Sequence, residues 1–379
     1  MSPRRIVDFL SSYGLACILL FGLFVLTLVG TLDQAAIGLH AAQQKYFFSM
    51  IVWLERPGWP AVPVFPGGYL LMALLTVNLV LGGVVRLRRT PSRIGMFIVH
   101  AGMVLMLVGG MITYHFAVEG QMALEPGQTS SRFQSATEWE LAVIDTSHPE
   151  RDVEYLIPQA AFTDLAGRVR TFSHEGLPFE LDLGGYLPNS EPRGRGGEIL
   201  LQPLHPNREQ GGNWPGLTAR VRQGDGPARE SILWGRSLHP WAFEAGGRTW
   251  ALELRRRQFH APFSLTLERF VHEFHPGTRI ARTYESDVIK TEGDRTEAVN
   301  IRMNEPLRHG GYTFFQSSYY QIPDSEQYGT VLAVVRNPAD QFPLWATLIV
   351  TAGLLLHFSL QLARYLKREM GERGERVGK

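Results

Sequence analysis

Four runs of this sequence are nearly free of charge: Gly14 to Leu32, Gly67 to Val85, Ile94 to Thr113, and Phe342 to Ala363. Each holds about 19 to 22 residues, and roughly 20 are needed to cross a ~30 Å hydrocarbon core as a helix. Apolar helices of that length leave few options for the rest of the chain. Residues 116–341 have ordinary soluble composition and alternate apolar and polar positions, as in "EWELAVID", "PFELDLGGYL", "LTARVRQ" and "SLTLERFVHEF". That alternation is the signal of half-buried strands. Clusters such as "LPNSEPRGRGG" and "HPNREQGGNWPG" read as turns or long loops. The expected fold is an α-helical membrane protein with four transmembrane helices plus a large β-rich extracytoplasmic domain, a sandwich or open barrel. Its parts are a 1–13 N-terminus, three spans within 14–115, the 116–341 domain, a fourth span at 342–363 and a 364–379 tail.

Charge sets the expected orientation. The chain has 37 Lys and Arg against 36 Asp and Glu. Residues 1–13, 86–93 and 364–379 together hold 12 basic and 4 acidic residues, so everything else is net acidic. Between the first two spans only Lys45 and Arg56 are basic. Positive loops stay in the cytoplasm. Both termini are therefore expected there, in the inner membrane of a bacterium, with the large domain in the periplasm. The paired Arg4 and Arg5 precede an apolar run longer than the core of a cleaved signal, so a retained anchor is expected rather than a leader. The one cysteine, Cys17, lies in the first span. It permits no disulfide within the chain, and neither CxxC nor the haem-attaching CxxCH occurs. Ser-His-Asp order, a nucleotide loop and an HExxH helix are equally missing, and nothing points to nucleic acid.

Two of the 12 histidines interrupt apolar spans: His100 in "FIVHAGMVLMLVGGMIT" and His357 in "VTAGLLLHF". An ionisable group there costs a few kcal/mol unless it pairs, binds something or meets water. His100 follows Arg93 by seven residues and His357 precedes Arg364 by seven. At 1.5 Å per residue both imidazoles are expected about 10 Å from the same membrane face. Such a pair suits the axial positions of a b-type haem. It equally suits hydrogen bonding to neighbouring hydroxyls or carbonyls, or a proton or metal relay. Gly95, Gly102, Gly109, Gly110 and Gly353 would thin the helices for a macrocycle, or simply for helix contact. His272 and His275, three apart on a strand, point to opposite faces and make a poor metal pair. His115 reads as an interfacial residue, so each of the two spans offers one histidine. "NEPLRHGGYTFFQSSYY" reads as a strand with one aromatic face, or as a platform for a flat ligand.

That last stretch resembles the signature of the ResB family, the CcsB-type component of system II cytochrome c biogenesis. "HPGTRIARTYESDV" and the third and fourth spans are also similar to family motifs, whereas residues 120–260 contribute little. The resemblance implies three spans, a large outer domain and a closing span. It also implies a subunit, accessory rather than catalytic, of the complex that carries haem outward and attaches it to CxxCH apocytochromes c. Its partner would be a ResC/CcsA-type membrane protein with a tryptophan-rich loop. No such loop occurs here, which implies the separate subunit. Membrane lipid, haem and apocytochrome c are the other implied partners. His100 stands where the family has a haem ligand. His357 falls in a family motif as a second haem-iron ligand, unless the partner supplies that one, so haem b would be transient and shared. His309 departs from the expected tyrosine. The alternatives are a haem-free scaffold and a membrane b-type electron carrier.

Overall fold

The computed structural model describes residues 3–54, 58–87, 90–91, 93–147, 153–195, 198–224, 226–278 and 281–377. The chain divides into two compact units, residues 1–117 with 337–379, and residues 118–336.

The first unit is helical. Its helices are α1 (Pro3–Leu10), α2 (Tyr13–Ile37), α3 (Leu39–Ala42), α4 (Gly68–Asn78), α5 (Ile94–Phe116) and α6 (Phe342–Val377). Two segments wind as π-helix, Gln43–Phe47 and Leu79–Val85, and the second continues α4. Among the described residues, four helical stretches are long and apolar enough to span a membrane: Tyr13–Ile37, Gly68–Val85, Ile94–Phe116 and Phe342–Met370. Ser12 caps α2 by accepting from the Leu15 N–H, which satisfies one of the amides a helix start leaves free. Between the first two spans the chain folds into an antiparallel hairpin, β1 (Ile51–Leu54) with β2 (Val62–Pro66). Its Val52 is buried among Leu19, Leu26 and Leu71 of the neighbouring spans. α6 runs on to Val377 through the stretch read as a tail. Lys and Arg favour helix, and nothing there breaks it.

The second unit is built of strands, with short 3-10 turns at Gln159–Ala161 and Gln210–Gly212. Its strands are β3 (Val118–Leu124), β4 (Thr129–Asp145), β5 (Val153–Pro158), β6 (Val169–Phe172), β7 (Glu180–Leu187), β8 (Ser190–Arg195) and β9 (Glu198–Pro203). They continue as β10 (Gly216–Arg222), β11 (Arg229–Trp234), β12 (Trp241–Ala245), β13 (Arg248–Phe274), β14 (Ala281–Glu292) and β15 (Arg295–Arg302). The last are β16 (Leu307–His309), β17 (Tyr312–Gln321) and β18 (Tyr328–Arg336). The main sheet runs β15-β14-β13-β4-β3-β18-β17-β16, with β12 on β13 and β5 on β4. β15 also approaches β16 and β17, which brings the sheet close to a barrel. A four-stranded sheet, β11-β10-β7-β6, lies apart from that ladder.

Both expected forms, sandwich and open barrel, are therefore present, and β4 and β13 are shared between them. The C-terminal half of β4 and the N-terminal part of β13 pack against the four-stranded sheet through Trp139, Leu141, Trp250, Leu252, Leu181 and Leu217. Register shifts between Arg256 and Gln258, and between His260 and Leu265, then turn β13 into the barrel. Phe263, Leu265 and Leu267 join Phe314, Leu332 and Val334 in the second core. The expected strands all form, but "LPNSEPRGRGG" becomes the hairpin strand β8 instead of a loop. Pro192 is tolerated because β8 has a neighbour on one side only, so a missing N–H breaks no ladder.

Candidate functional site

The α5–α6 pair is built on a heptad of glycines. Gly95, Gly102 and Gly109 are the buried residues of α5. A Cβ on Gly95 would stand 2.6 Å from the His357 nitrogen and 2.7 Å from the Gly353 carbonyl oxygen. On Gly102 it would meet Val350 at 2.8 Å, and on Gly109 it would meet Phe342 at 2.7 Å. Gly353 answers from α6, where a Cβ would lie 2.8 Å from the Val99 nitrogen. Helix contact therefore occupies these glycines, and no gap for a flat macrocycle opens between α5 and α6. Gly110 alone of the set has nothing within 4 Å of the Cβ position.

The same contacts fix the register, and with it the two histidines. With Gly95 facing Gly353–His357 and Gly109 facing Phe342, His100 lies level with Val350 and His357 level with Arg93. The stagger is about seven residues, or ~10 Å along the axes. At about 100° per residue, His100 also lies some 140–160° around α5 from the glycine edge. The imidazoles thus neither share a depth nor face one another; the expectation of equal depth ignored how far each helix runs past its flanking arginine. His357 sits in the α6 seam. Its Nε2 is 3.3 Å from the Gln361 side-chain nitrogen, and its ring packs on Phe358.

His100 instead faces span two. A Cβ on Gly83 would be 2.9 Å from the His100 Cγ and 3.2 Å from its Nδ1. Gly83 belongs to the π-helical turns Leu79–Val85, a local widening that recurs at functional sites. The adjacent edge of those turns holds the α1–α2 junction. Buried Asn78 donates to the Leu10 and Ser12 carbonyls at 2.7 and 3.0 Å, a Cβ on Gly82 would meet the Ser11 carbonyl oxygen at 2.9 Å, and Arg86 pairs with Asp8 at 2.7 Å. Asn78 and Gly83 were not singled out from the sequence, although an amide at the centre of an apolar run is a readable signal.

Among the described residues, Nδ1 of His100 and Nδ1 of His357 are the buried side-chain polar atoms without a hydrogen-bond partner. An orphaned group of this kind costs about 1–3 kcal/mol. Half-buried imidazoles in apolar helices are suitable axial donors to haem iron, so the donor chemistry fits. The register fits one ligand from each helix to separate positions; it does not fit one haem clamped between α5 and α6.

The β unit holds two further clusters. His309 Nε2 is 2.8 Å from Glu292, and its Nδ1 is 3.4 Å from Lys290 Nζ. Lys290, nearly buried, also binds Glu297 at 2.6 Å and holds that carboxyl below its usual range. The aromatic stretch before α6 does not present one face. Tyr312 and Phe314 enter the barrel core, Phe315 is exposed, and a bulge between Gln316 and Ser318 re-aims the side chains beyond it. Gln316 forms a buried polar triad with Ser286 and Thr330. Past the bulge, Tyr319 stacks on His272 at 5.3 Å, with Phe270, Tyr284 and Tyr328 around them. Among the described residues no three or more His, Cys, Asp or Glu gather as a metal site.

The ResB-like family model matches residues 247–328, which cover β13 to β17 and reach the first residue of β18. Protein NrfI of Wolinella succinogenes is 23% identical over 261 residues, 68% of this chain and 26% of NrfI. The chain thus spans about a quarter of the length of that curated relative. The likeness read from Asn304 to Tyr320 is borne out: the strands from β13 to β17 match the ResB-like family.

Proposed function

We propose that the chain serves cytochrome c maturation as a membrane subunit that holds haem at His100 while the haem passes outward to a ResC/CcsA-type partner. The observation that carries this reading is the orphaned ring nitrogen of His100, kept within an apolar span against Gly83. The ResB-like match and the likeness to NrfI support the cytochrome c maturation role. Haem here is cargo, and its iron takes a neutral imidazole as axial ligand. Gly83 leaves room for the ring, and the Asn78, Gly82 and Arg86 contacts fix the span that carries Gly83. His357 provides a second, separate ligand from α6. Its stagger from His100 means that each iron position is completed by a group from outside this chain.

In this reading the end bearing Arg86, Arg93 and Arg364 is cytoplasmic, both termini lie on that side, and the β unit is periplasmic. The β unit would dock the partner or the apocytochrome. A His100→Ala chain, introduced into cells that lack the native one, should reach the membrane in normal amount and fail to support covalent haem attachment to c-type cytochromes. Normal attachment in that strain would reduce the chain to a haem-free scaffold.

A further inference from the structure

α5 carries a second histidine on nearly the same side as His100. His115 follows it by 15 residues, and the helix encloses both. Fifteen residues are about 22 Å of rise and bring the second side chain to within about 60° of the first. Both look toward span two, His100 at Gly83 and His115 at Tyr69. The expectation of one histidine per span therefore fails for α5. Span two adds no histidine of its own and α6 has only His357, so the four ligands of a two-haem electron carrier are not assembled.

His115 is not placed as a solitary interfacial side chain. Its Nε2 is 2.8 Å from the Tyr69 hydroxyl. The rings of Tyr114, Tyr69 and Phe116 lie 4.9, 5.9 and 6.3 Å from its own, and Phe48 stacks on Tyr114 at 4.9 Å. With Tyr69 as the donor, His115 is held as the Nδ1–H tautomer, the form that offers Nε2 to a metal. Dispersed aromatic residues at a membrane boundary each anchor separately. Here a ligand-competent imidazole stands within a cluster of rings suited to a flat apolar macrocycle.

We propose that His115, latched by Tyr69, is an outer station for haem on the same α5 face as His100. The inference rests on the reading that His100 holds haem at the inner end. In the step itself the iron exchanges an axial water for His115: an Fe–N bond forms as the Fe–O bond and the Tyr69–His115 hydrogen bond break, and the water leaves to solvent. The proton stays on the phenol and no electron moves.

The test is a titration of the full chain, in phospholipid nanodiscs, with iron(III) protoporphyrin IX, followed by absorbance against empty discs. All chains carry His357→Ala, which removes the separate α6 ligand, and on that background the otherwise wild-type chain should show two saturable phases. His100→Ala should remove one and His115→Ala the other, while Tyr69→Phe, which keeps the ring and frees Nε2, should tighten the phase that His115→Ala removes. A single phase lost only in His100→Ala overturns the outer station and leaves the inner assignment standing. A second phase unmoved by both His115→Ala and Tyr69→Phe also overturns it. A single phase lost only in His115→Ala upholds the outer station and overturns the inner one. No saturable phase in any chain overturns both.

Discussion

Single residues decide how the membrane unit packs, and glycine shows this most directly. Gly95 and Gly110 lie on one helix and look alike in the sequence, yet a Cβ on the first strikes α6 backbone while a Cβ on the second meets nothing. Gly95→Ala should therefore cost about 1–3 kcal/mol through forced separation of α5 and α6. Gly110→Ala should leave stability unchanged or slightly raised, because alanine favours helix. Thermal unfolding of the two variants in one detergent checks the contrast; equal melting points would refute the seam. Gly83→Ala acts differently, because its Cβ would crowd the His100 ring, a side chain rather than backbone. It should weaken haem binding while the fold survives, which absorbance and melting measurements separate. The sequence marked the α5 and α6 glycines and His100. It left open which partner each one meets, since that depends on the register of two helices more than 200 residues apart.

At the level of elements, long strands with alternating apolar positions were legible, and β4, β7, β10 and β13 form where the pattern places them. The point at which β13 leaves the sandwich for the barrel was not legible, because bulges arise from pairing with β4 and not from local propensity. The aromatic stretch was misleading for the same reason, as the bulge after Gln316 breaks its period of two. Ion pairs hold the strands in register. Arg255, one-tenth exposed, binds Glu140, Glu154 and Glu253 from β4, β5 and its own strand. Removing it strands the buried Glu140 carboxylate, so Arg255→Ala should cost about 3–5 kcal/mol. Chemical denaturation of the full chain measures this, and a loss under about 1 kcal/mol would place the pairs among weak surface contacts.

For the whole molecule, the β unit should be acid-sensitive. Hydrogen bonding to Arg255 holds Glu154 below the usual carboxylate range, Arg222 does so for Asp182, and Asn300 with Arg269 does so for Asp287. A lowered folded pKa contributes stability that is present above the unfolded value and is lost as pH falls through the folded one. Stability should thus hold from about pH 8 to 5 and decline below about pH 4. Circular dichroism of the full chain across that range checks the sign, and a loss confined to the alkaline side would contradict it. The division into four apolar spans and one β-rich region was legible because membrane helices and alternating strands obey short-range rules. How two histidines with equal sequence offsets from arginine come to lie ~10 Å apart in depth was not, because tertiary register sets it.

Haem held by the His100 imidazole within span three should be visible in the dithionite-reduced absorption spectrum of the purified full chain, recorded for wild type beside His100→Ala. Wild type should give a b-type spectrum that the substitution removes, with the variant equally folded by circular dichroism. An unchanged spectrum in His100→Ala, or no haem in either preparation, would contradict that assignment.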